Sequence, residues 1–430
     1  MGAPLGLRAS LRAGRRRPAG AAAPGAARRP RARRVIAAGG PPADEIAARI
    51  SAFQAALGAA GLTGALIVQR RDLFYLTGTA QDAHLVVPAH GEPRLLVRRS
   101  GSRARQESPL ERVERLDSMR DLPGAIRDAG IVGGRLGLEL DVLPAARYLA
   151  YARALDGLEL DDCSPLVRSL RSIKSAWELE QIEAAARQVE VGMRAARWAL
   201  RAGITEIELA AEIEHAMRNA GHQGVLHARG FGFDPSPACV LGGPSAAVPG
   251  GWDAPIVGPG PNPAIGAGSS ERPIESGETV IVDLLGGAGG YVADATRTFA
   301  TGEPPEQLVR AHALAHRILT EVSAGARPGV TGEDLFLRAR ELAGDEPGFM
   351  GVEGENVVSF VGHGLGLEVD EPPFLARGFA TPLAAGMVFA LEPKFLFAGV
   401  GAVGVENSFV VEEGGARSLI DVEETLLLVD

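Results

Sequence analysis

The stretch that decides the fold is residues 280–298, VIVDLLGGAGGYVADATRT. An apolar run ends on Asp283, a cluster of glycines follows, and a second apolar run ends on Asp294. Two strand-like runs around a glycine turn predict a β-hairpin. A lone Asp near a strand end usually serves a turn, but one carboxylate in each strand of a hairpin can point at the same place.

Three further candidate residues follow in or beside apolar, strand-like runs. They are His363 in GHGLGLEVDEPP, Glu392 in FALEPKF and Glu406 in GVENSF. Burying four carboxylates together is very costly unless a cation compensates them. Two divalent metal ions would balance four carboxylates and one neutral imidazole, so the set predicts a metal centre.

Composition excludes several classes of protein. The chain has 430 residues with 46% hydrophobic and 23% charged residues, which is typical of a globular protein of two or three domains. No apolar run reaches the length of a membrane span. Cys163 and Cys239 lie far apart and form no CxxC, which favours a reducing compartment over a disulfide framework.

The charge is divided unevenly along the chain. Residues 1–43 contain ten arginines and no acidic residue, so the net charge of -9 becomes about -19 on the remainder, which predicts no nucleic-acid binding there. An Arg-rich, acid-free leader is typical of a transit peptide, and residues 35–38, VIAA, resemble a chloroplast cleavage site. We expect a disordered leader and a chloroplast location, with the mitochondrion or cytoplasm as alternatives. A plain unstructured extension or a start codon placed too early would also explain the leader.

Residues 44–165 are predicted to form an α/β domain. Apolar residues at helical spacing predict a first helix over residues 44–62. The strand candidates that follow are residues 65–68, 74–78, 85–88, 95–97 and 135–138. His84 and His90 are single loop histidines, for which we expect structural roles.

Residues 171–430 are predicted to form a second domain. Its first two helices begin at capping boxes, Ser175 with Glu178 and Thr205 with Glu208. Residues 229–278 are rich in Gly and Pro and predict a long loop, either a lid or a plain surface excursion. Later helices are expected over residues 305–324 and 331–342, and strands over residues 357–361, 387–391, 409–411 and 424–429. His312 and His316 stand at i and i+4, but an ordinary helix face is the favoured interpretation.

These residues together resemble the pita-bread metallopeptidases, the family of Xaa-Pro aminopeptidase, prolidase, methionine aminopeptidase and the metal-free creatinase. The resemblance rests on Asp283 and Asp294 in DATRT, GHGLGLE at 362–368, LEP at 391–393 and Glu406 in VEN. Residues 44–165 are similar to the creatinase/prolidase amino-terminal domain, notably at 74–78 and 164–174. The resemblance implies an α+β protein: a creatinase-like amino-terminal α/β domain, then a pita-bread catalytic domain with a curved, mostly antiparallel sheet.

The resemblance also implies a site. Its metal ligands would be Asp283, Asp294, His363, Glu392 and Glu406, holding two divalent ions. Hard oxygen donors with one imidazole suit Mn²⁺, the leading candidate, or Co²⁺, Zn²⁺ or Fe²⁺. The two ions would activate a water molecule that attacks an amide, and Glu392 would take its proton.

Two positions depart from the family pattern. Gly250 stands where the peptidases usually carry a histidine after the loop proline, and Asp370 stands where GLEVHE carries another. Those histidines bind the substrate carbonyl, and losing such a donor costs about 10²–10³ in rate at a comparable oxyanion site. We therefore assign Gly250 to substrate binding and Asp370 to the catalytic set, and expect weakened peptidase activity.

The leading hypothesis is an Xaa-Pro aminopeptidase-like hydrolase that cleaves an amide near the amino terminus of a short peptide. The alternatives are a creatinase-like hydrolase of a small non-peptide C–N bond, and a catalytically weakened binding protein. A short peptide or small amide would be the partner, without nucleic acid or membrane, and the resemblance alone implies a homodimer.

Overall fold

The computed structural model describes residues 39–352 and 354–429, and the predicted leader lies almost entirely outside them. Within these residues an α/β domain precedes a larger α+β domain, which is the fold class that the sequence predicts. None of the helices in the described part is both long enough and apolar enough to cross a membrane.

The first domain is built on a six-stranded mixed sheet with the strand order β4-β3-β2-β1-β5-β6. Its central strand β1 pairs antiparallel with β2 and parallel with β5. The strands are β1 Gly64–Ile67, β2 Ala83–Pro88, β3 Arg94–Val97, β4 Val113–Arg115, β5 Arg135–Leu138 and β6 Glu159–Asp162. The helices are α1 Ala43–Ala59, α2 Arg70–Thr77, α3 Gly101–Glu107, α4 Leu122–Asp128, α5 Ala145–Ala154 and α6 Ser164–Ser172.

Residues 74–78, a strand candidate from sequence, are helical instead. They end helix α2, and Gly78 terminates it in the left-handed conformation with φ of 75°. The helix begins because the Gln69 side chain accepts hydrogen bonds from the backbone N–H groups of Arg71 and Asp72. An apolar run of five residues does not distinguish a strand from a buried helix end, and the cap decides between them.

The second domain contains four helices and eleven strands among the described residues. Its helices are α7 Ala176–Ala199, α8 Glu206–Asn219, α9 Glu306–Gly325 and α10 Gly332–Ala343. Its strands are β7 Ala238–Gly242, β8 Thr279–Ala288, β9 Tyr291–Thr301, β10 Phe360–Leu365, β11 Val369–Ala376, β12 Val388–Leu391, β13 Lys394–Phe397, β14 Gly401–Gly404, β15 Asn407–Glu412, β16 Gly415–Ser418 and β17 Leu427–Val429. The predicted capping boxes at Ser175 and Thr205 are both present.

The predicted hairpin is β8 and β9, joined by a turn at Gly289 and Gly290 with φ of 58° and 94°. Strand β8 continues to Ala288 and includes Gly286 and Gly287, further than the apolar run alone indicates. Gly286 allows this, because a Cβ there would lie 2.1 Å from the carbonyl oxygen of Ala185 on helix α7. The glycine thus lets the helix pack against the strand backbone.

Residues 229–278 are not one long loop, in contrast to the prediction from composition. Strand β7 and a 3₁₀ turn, Gly243–Ala247, interrupt the segment. β7 pairs antiparallel with β8 and places Cys239 opposite Asp283. The irregular stretches on either side of β7 are thereby held close to the hairpin.

Two sheets of the second domain meet along a seam. One sheet has the order β17-β9-β8-β7, and the other has the order β11-β10-β12-β15-β16. The Ser408 hydroxyl donates to the Asp294 carbonyl at 2.8 Å and accepts from its N–H at 2.9 Å. The Glu406 N–H donates to the Thr296 carbonyl at 3.0 Å. These bonds fix the two sheets at the positions that carry the candidate ligands.

Candidate active site

The hairpin presents both predicted aspartates on one face. Asp283 lies opposite Thr296, and Asp294 lies opposite Leu285. Directly opposed residues of an antiparallel pair share a face, as do residues two apart along a strand, so the two carboxylates point the same way. Asp294 is buried, whereas Asp283 keeps part of its side chain open to a cavity.

The other three predicted residues come from the second sheet. His363 lies in β10, Glu392 directly follows β12, and Glu406 directly precedes Asn407 at the start of β15. Because β10, β12 and β15 are neighbours, the three side chains converge. The His363 Nε2 atom lies 3.8 Å from Asp294 Oδ2 and 3.7 Å from Glu392 Oε1.

All five predicted residues line one cavity of about 680 Å³. Ligand atoms of Asp294, His363 and Glu406 lie within 4.8 Å of one another, close enough to hold one metal ion. Among the described residues, Asp294 Oδ1 and Glu406 Oε1 are buried without a hydrogen-bond partner. Buried carboxylate oxygens are rarely left unpaired, so a cation fits at this point.

The electrostatics of the cluster also favour binding of a cation. Burial raises the pKa of Asp294 well above its usual value, and the charges of Glu406 and Asp283 raise it further. Burial raises the pKa of Asp283 to about 6 and that of Glu392 to about 7, although Lys394 opposes both shifts. A divalent ion would offset this repulsion, and the set of oxygen and imidazole donors suits one.

Lys394 is a buried residue of the site that the sequence did not single out. Its Nζ donates to Glu392 Oε2 at 2.6 Å and to Glu406 Oε2 at 2.9 Å. Burial disfavours the ammonium, but the ion pairs with Glu392 and Glu406 outweigh burial and raise the pKa of Lys394. The available signal was its spacing, because residues two apart in an extended segment face the same way, as Lys394 and Glu392 do.

The two positions that depart from the family pattern have different surroundings. Asp370 lines the cavity with φ of 68°, and its Oδ1 lies 3.7 Å from His363 Nδ1. Gly250 does not line the cavity, although its neighbours Gly251 and Trp252 do. A Cβ at Gly250 would lie 2.2 Å from Val257 Cγ1, so no side chain fits there without a shift. The substrate-binding role of Gly250 stays a prediction.

The cavity walls are acidic and apolar. None of the described residues that line the cavity is Lys or Arg. Acidic side chains of Glu214, Asp234 and Asp253 line it beyond the central cluster, together with the aromatic residues Phe231, Phe233 and Trp252. Such a lining favours a substrate portion that is apolar or positively charged over one that is anionic.

Charged residues behind the site join the two domains. The Arg171 guanidinium contacts Asp72 of the first domain together with Glu368 and Glu371 of the second. Arg229 also contacts Asp72 and Glu368. All five side chains are nearly or fully buried, and Glu371 directly follows Asp370. The first domain therefore contributes to the support of strand β11.

The other four histidines that the sequence analysis considered lie outside the candidate site. His84 is buried in β2, not in a loop, and its Nε2 lies 2.9 Å from the Tyr151 hydroxyl. His90 is exposed. His312 is buried on helix α9, while the His316 Nε2 lies 3.4 Å from Glu424 Oε2. Among the described residues, the potential metal-binding cluster is the one with His363.

Comparison with known proteins assigns almost the whole described chain to two known families of domains. Residues 180–413 match the profile of metallopeptidase family M24, and residues 49–173 match the creatinase/prolidase amino-terminal domain. A probable dipeptidase PepE from Mycobacterium bovis is 30% identical over 401 residues, which are 90% of this chain and 97% of that protein. The Xaa-Pro dipeptidase of Pyrococcus furiosus is 26% identical over 360 residues, 83% of this chain and 92% of that protein.

Solved structures of dipeptidases resemble this chain over almost its whole described length. Dipeptidase PepE from Mycobacterium ulcerans has a TM-score of 0.74 and 28% identity, covering 90% of this chain and 98% of that one. A dipeptidase from Pyrococcus horikoshii has a TM-score of 0.72 and 29% identity, covering 89% of this chain and all of that one. Fold and site thus define a metal-dependent peptidase with a pita-bread catalytic domain. The chain belongs to metallopeptidase family M24.

Proposed function

We propose that this metallopeptidase cleaves an amide bond near the amino terminus of a short peptide, as an Xaa-Pro peptidase does. The observation that carries the proposal is the convergence of Asp283, Asp294, His363, Glu392 and Glu406 in one cavity. The similarity to a probable dipeptidase and to an Xaa-Pro dipeptidase supports a peptide substrate. Mn²⁺ is the metal that we propose first, with Co²⁺, Zn²⁺ and Fe²⁺ as alternatives.

The chemistry divides between the metal and the protein. When bound, a divalent ion supplies Lewis acidity and makes water a usable nucleophile near neutral pH. Glu392 lines the cavity, and a carboxylate there is suited to take a proton from the nucleophile and give it back. The Gly364 carbonyl, 3.3 Å from His363 Nδ1, helps to orient the imidazole ring. The apolar and aromatic wall excludes water from the substrate.

Asp370 sets the expected level of activity. It lies at the cavity edge beside His363 and has no proton to donate when ionised. An oxyanion forming there would meet a negative charge rather than a donor, which weakens stabilisation of the transition state. We therefore propose slow hydrolysis of Xaa-Pro peptides relative to family members that carry histidine at this position.

A peptide panel with added Mn²⁺ tests the proposal on the full chain. Glu392→Gln should lower kcat/KM by about 10²–10⁴, because it removes the proton acceptor. Glu412→Gln, an exposed acid on β15, is the matched control and should not change the rate. Asp370→His should raise kcat/KM on an Xaa-Pro peptide. If Asp370→His lowers activity on the best substrate, Asp370 has its own role in the reaction.

A second candidate function is hydrolysis of a small non-peptide C–N bond. The observation that favours it is the absence of Lys and Arg among the described lining residues, which leaves the carboxylate of a dipeptide without an obvious partner. A panel of small amides that carry a positive charge would test it. Hydrolysis of these amides in the absence of any peptide hydrolysis would favour the second function over the first.

A further inference from the structure

Lys394 lies among the residues that would hold metal. It is 1% exposed and opens strand β13, two residues after Glu392. Besides its two close contacts, its Nζ lies 3.8 Å from Asp283 Oδ2. The ammonium thus faces three of the four carboxylates of the site.

The surrounding backbone is shaped to accept this side chain. Lys394 pairs with Gly404 on the neighbouring strand β14. A Cβ at Gly404 would lie 2.5 Å from Lys394 Cγ, so a glycine at this position makes the space that the lysine fills. The lysine is therefore a packed component of the site and not a surface side chain that folds inward.

The ammonium divides the carboxylate oxygens into two sets. Glu392 Oε2 and Glu406 Oε2 are occupied by Lys394, and Glu406 Oε2 also accepts from the Thr296 hydroxyl at 2.7 Å. Asp294 Oδ1 and Glu406 Oε1 have no partner among the described residues. The Glu392 Oε1 atom lies 3.7 Å from His363 Nε2. Ligand atoms of Asp294, His363 and Glu406 lie within 4.8 Å of one another, so donors for one ion remain beside His363.

A second divalent ion would need carboxylate oxygens that no other cation already contacts. Glu406 Oε2 already accepts hydrogen bonds from Lys394 and Thr296, and Glu392 Oε2 accepts one from Lys394. An ion on the Asp283 side would also stand close to a buried ammonium, and like charges repel strongly in a poorly solvated interior.

We propose that Lys394 takes the place of one metal ion, so that each chain binds a single divalent ion at Asp294, His363, Glu392 and Glu406. The inference rests on the proposed metal-dependent function and replaces the two ions expected from the sequence. Asp283 then faces the ammonium from the cavity side. Lys394 thereby supplies a fixed positive charge where a second exchangeable ion would otherwise be needed.

The test uses the full chain loaded with Mn²⁺ alone. Metal analysis should give one ion per chain, and the electron paramagnetic resonance spectrum should be that of an isolated Mn²⁺ ion. Lys394→Ala frees two carboxylate oxygens and removes the charge, so it should bind two ions with a spin-coupled spectrum. Lys394→Arg keeps the charge and is the matched control, with one ion expected.

The outcomes separate this inference from the proposed function. Two spin-coupled ions in the wild type would overturn the inference and leave the metallopeptidase proposal intact. A wild type that binds none of Mn²⁺, Co²⁺, Zn²⁺ and Fe²⁺ would overturn both. If Lys394→Ala folds and still binds one ion, other residues limit the site and the inference fails. If that variant does not fold, the wild-type spectrum alone decides.

Discussion

Replacing Arg171 by methionine removes a buried charge at the joint between the two domains. The Arg171 side chain is 2% exposed, and its Nη2 lies 2.5 Å from Glu371 Oε1 and 2.9 Å from Glu368 Oε2. Methionine fills similar space without a charge. In Arg171→Met, the nearest cation left to Glu371 among the described residues is Lys174, whose Nζ is 3.8 Å from Glu371 Oε2.

The magnitude follows from which carboxylates lose their partners. Asp72 and Glu368 keep Arg229, whose Nη1 lies 2.9 Å and 3.4 Å from them. Glu371 alone loses its close partner, and breaking a buried ion pair in this way costs about 3–5 kcal/mol. We expect the free energy of unfolding to fall by about 3 kcal/mol, since Lys174 compensates in part. Urea unfolding followed by circular dichroism and tryptophan fluorescence measures it.

Two further variants make the experiment decisive. Adding Glu371→Gln to Arg171→Met removes the orphaned charge and should recover about 1–2 kcal/mol. Arg338→Met is the matched surface control, because Arg338 pairs with Glu321 and Glu341 while 44% exposed, and should cost less than about 1 kcal/mol. An Arg171→Met protein as stable as wild type, or a double variant less stable than the single one, would refute the reasoning.

Three other measurements follow from the structure. Burial lowers the pKa of His312 to about 4, so the neutral imidazole contributes its full stability above the unfolded pKa of about 6.5 and loses it as pH falls from there towards 4. The free energy of unfolding should therefore fall by about 2 kcal/mol between pH 7 and pH 5. Urea unfolding at both pH values measures this loss, which should vanish in His312→Leu. Gly404→Ala should lower the free energy of unfolding by about 1–3 kcal/mol, measured by thermal unfolding, because the new Cβ would clash with the Lys394 side chain. Gly414→Ala is the control and should be nearly neutral, because a Cβ there has no neighbour within 4 Å. Among peptide substrates, a carboxy-terminal amide should give a higher kcat/KM than the free acid, since no Lys or Arg lines the described cavity; equal values would show that the acidic lining does not select substrates.

Much of the site follows from sequence because its features are local. The glycine turn fixes the hairpin, and the hairpin brings Asp283 and Asp294 to one face whatever surrounds it. His363 and Glu406 were identified through motifs that place them beside apolar strands. Each of these residues was recognised by its immediate neighbours, so no knowledge of the strand order was required.

The parts that were not predicted depend on distant contacts. Lys394 reads as one charge in an apolar strand until Gly404 and the carboxylates are placed around it. Strand β7 lies in a segment rich in Gly and Pro, and only its pairing with β8 makes it a strand. The order of the strands in either sheet has no local signature in the sequence.

The seam between the two sheets couples ligand geometry to sliding of one sheet against the other. Asp283 and Asp294 belong to one sheet, His363 belongs to the other, and Glu392 and Glu406 directly adjoin strands of that second sheet. A shear of a fraction of an ångström along the seam would separate donors that lie on opposite sides of it. The Ser408 hydroxyl, bonded to both backbone groups of Asp294, opposes that shear before any ion arrives. A cation bound to residues of both sheets would also hold the sheets in this position. A change that strengthens or weakens ion binding should therefore change the resistance to shear in the same direction.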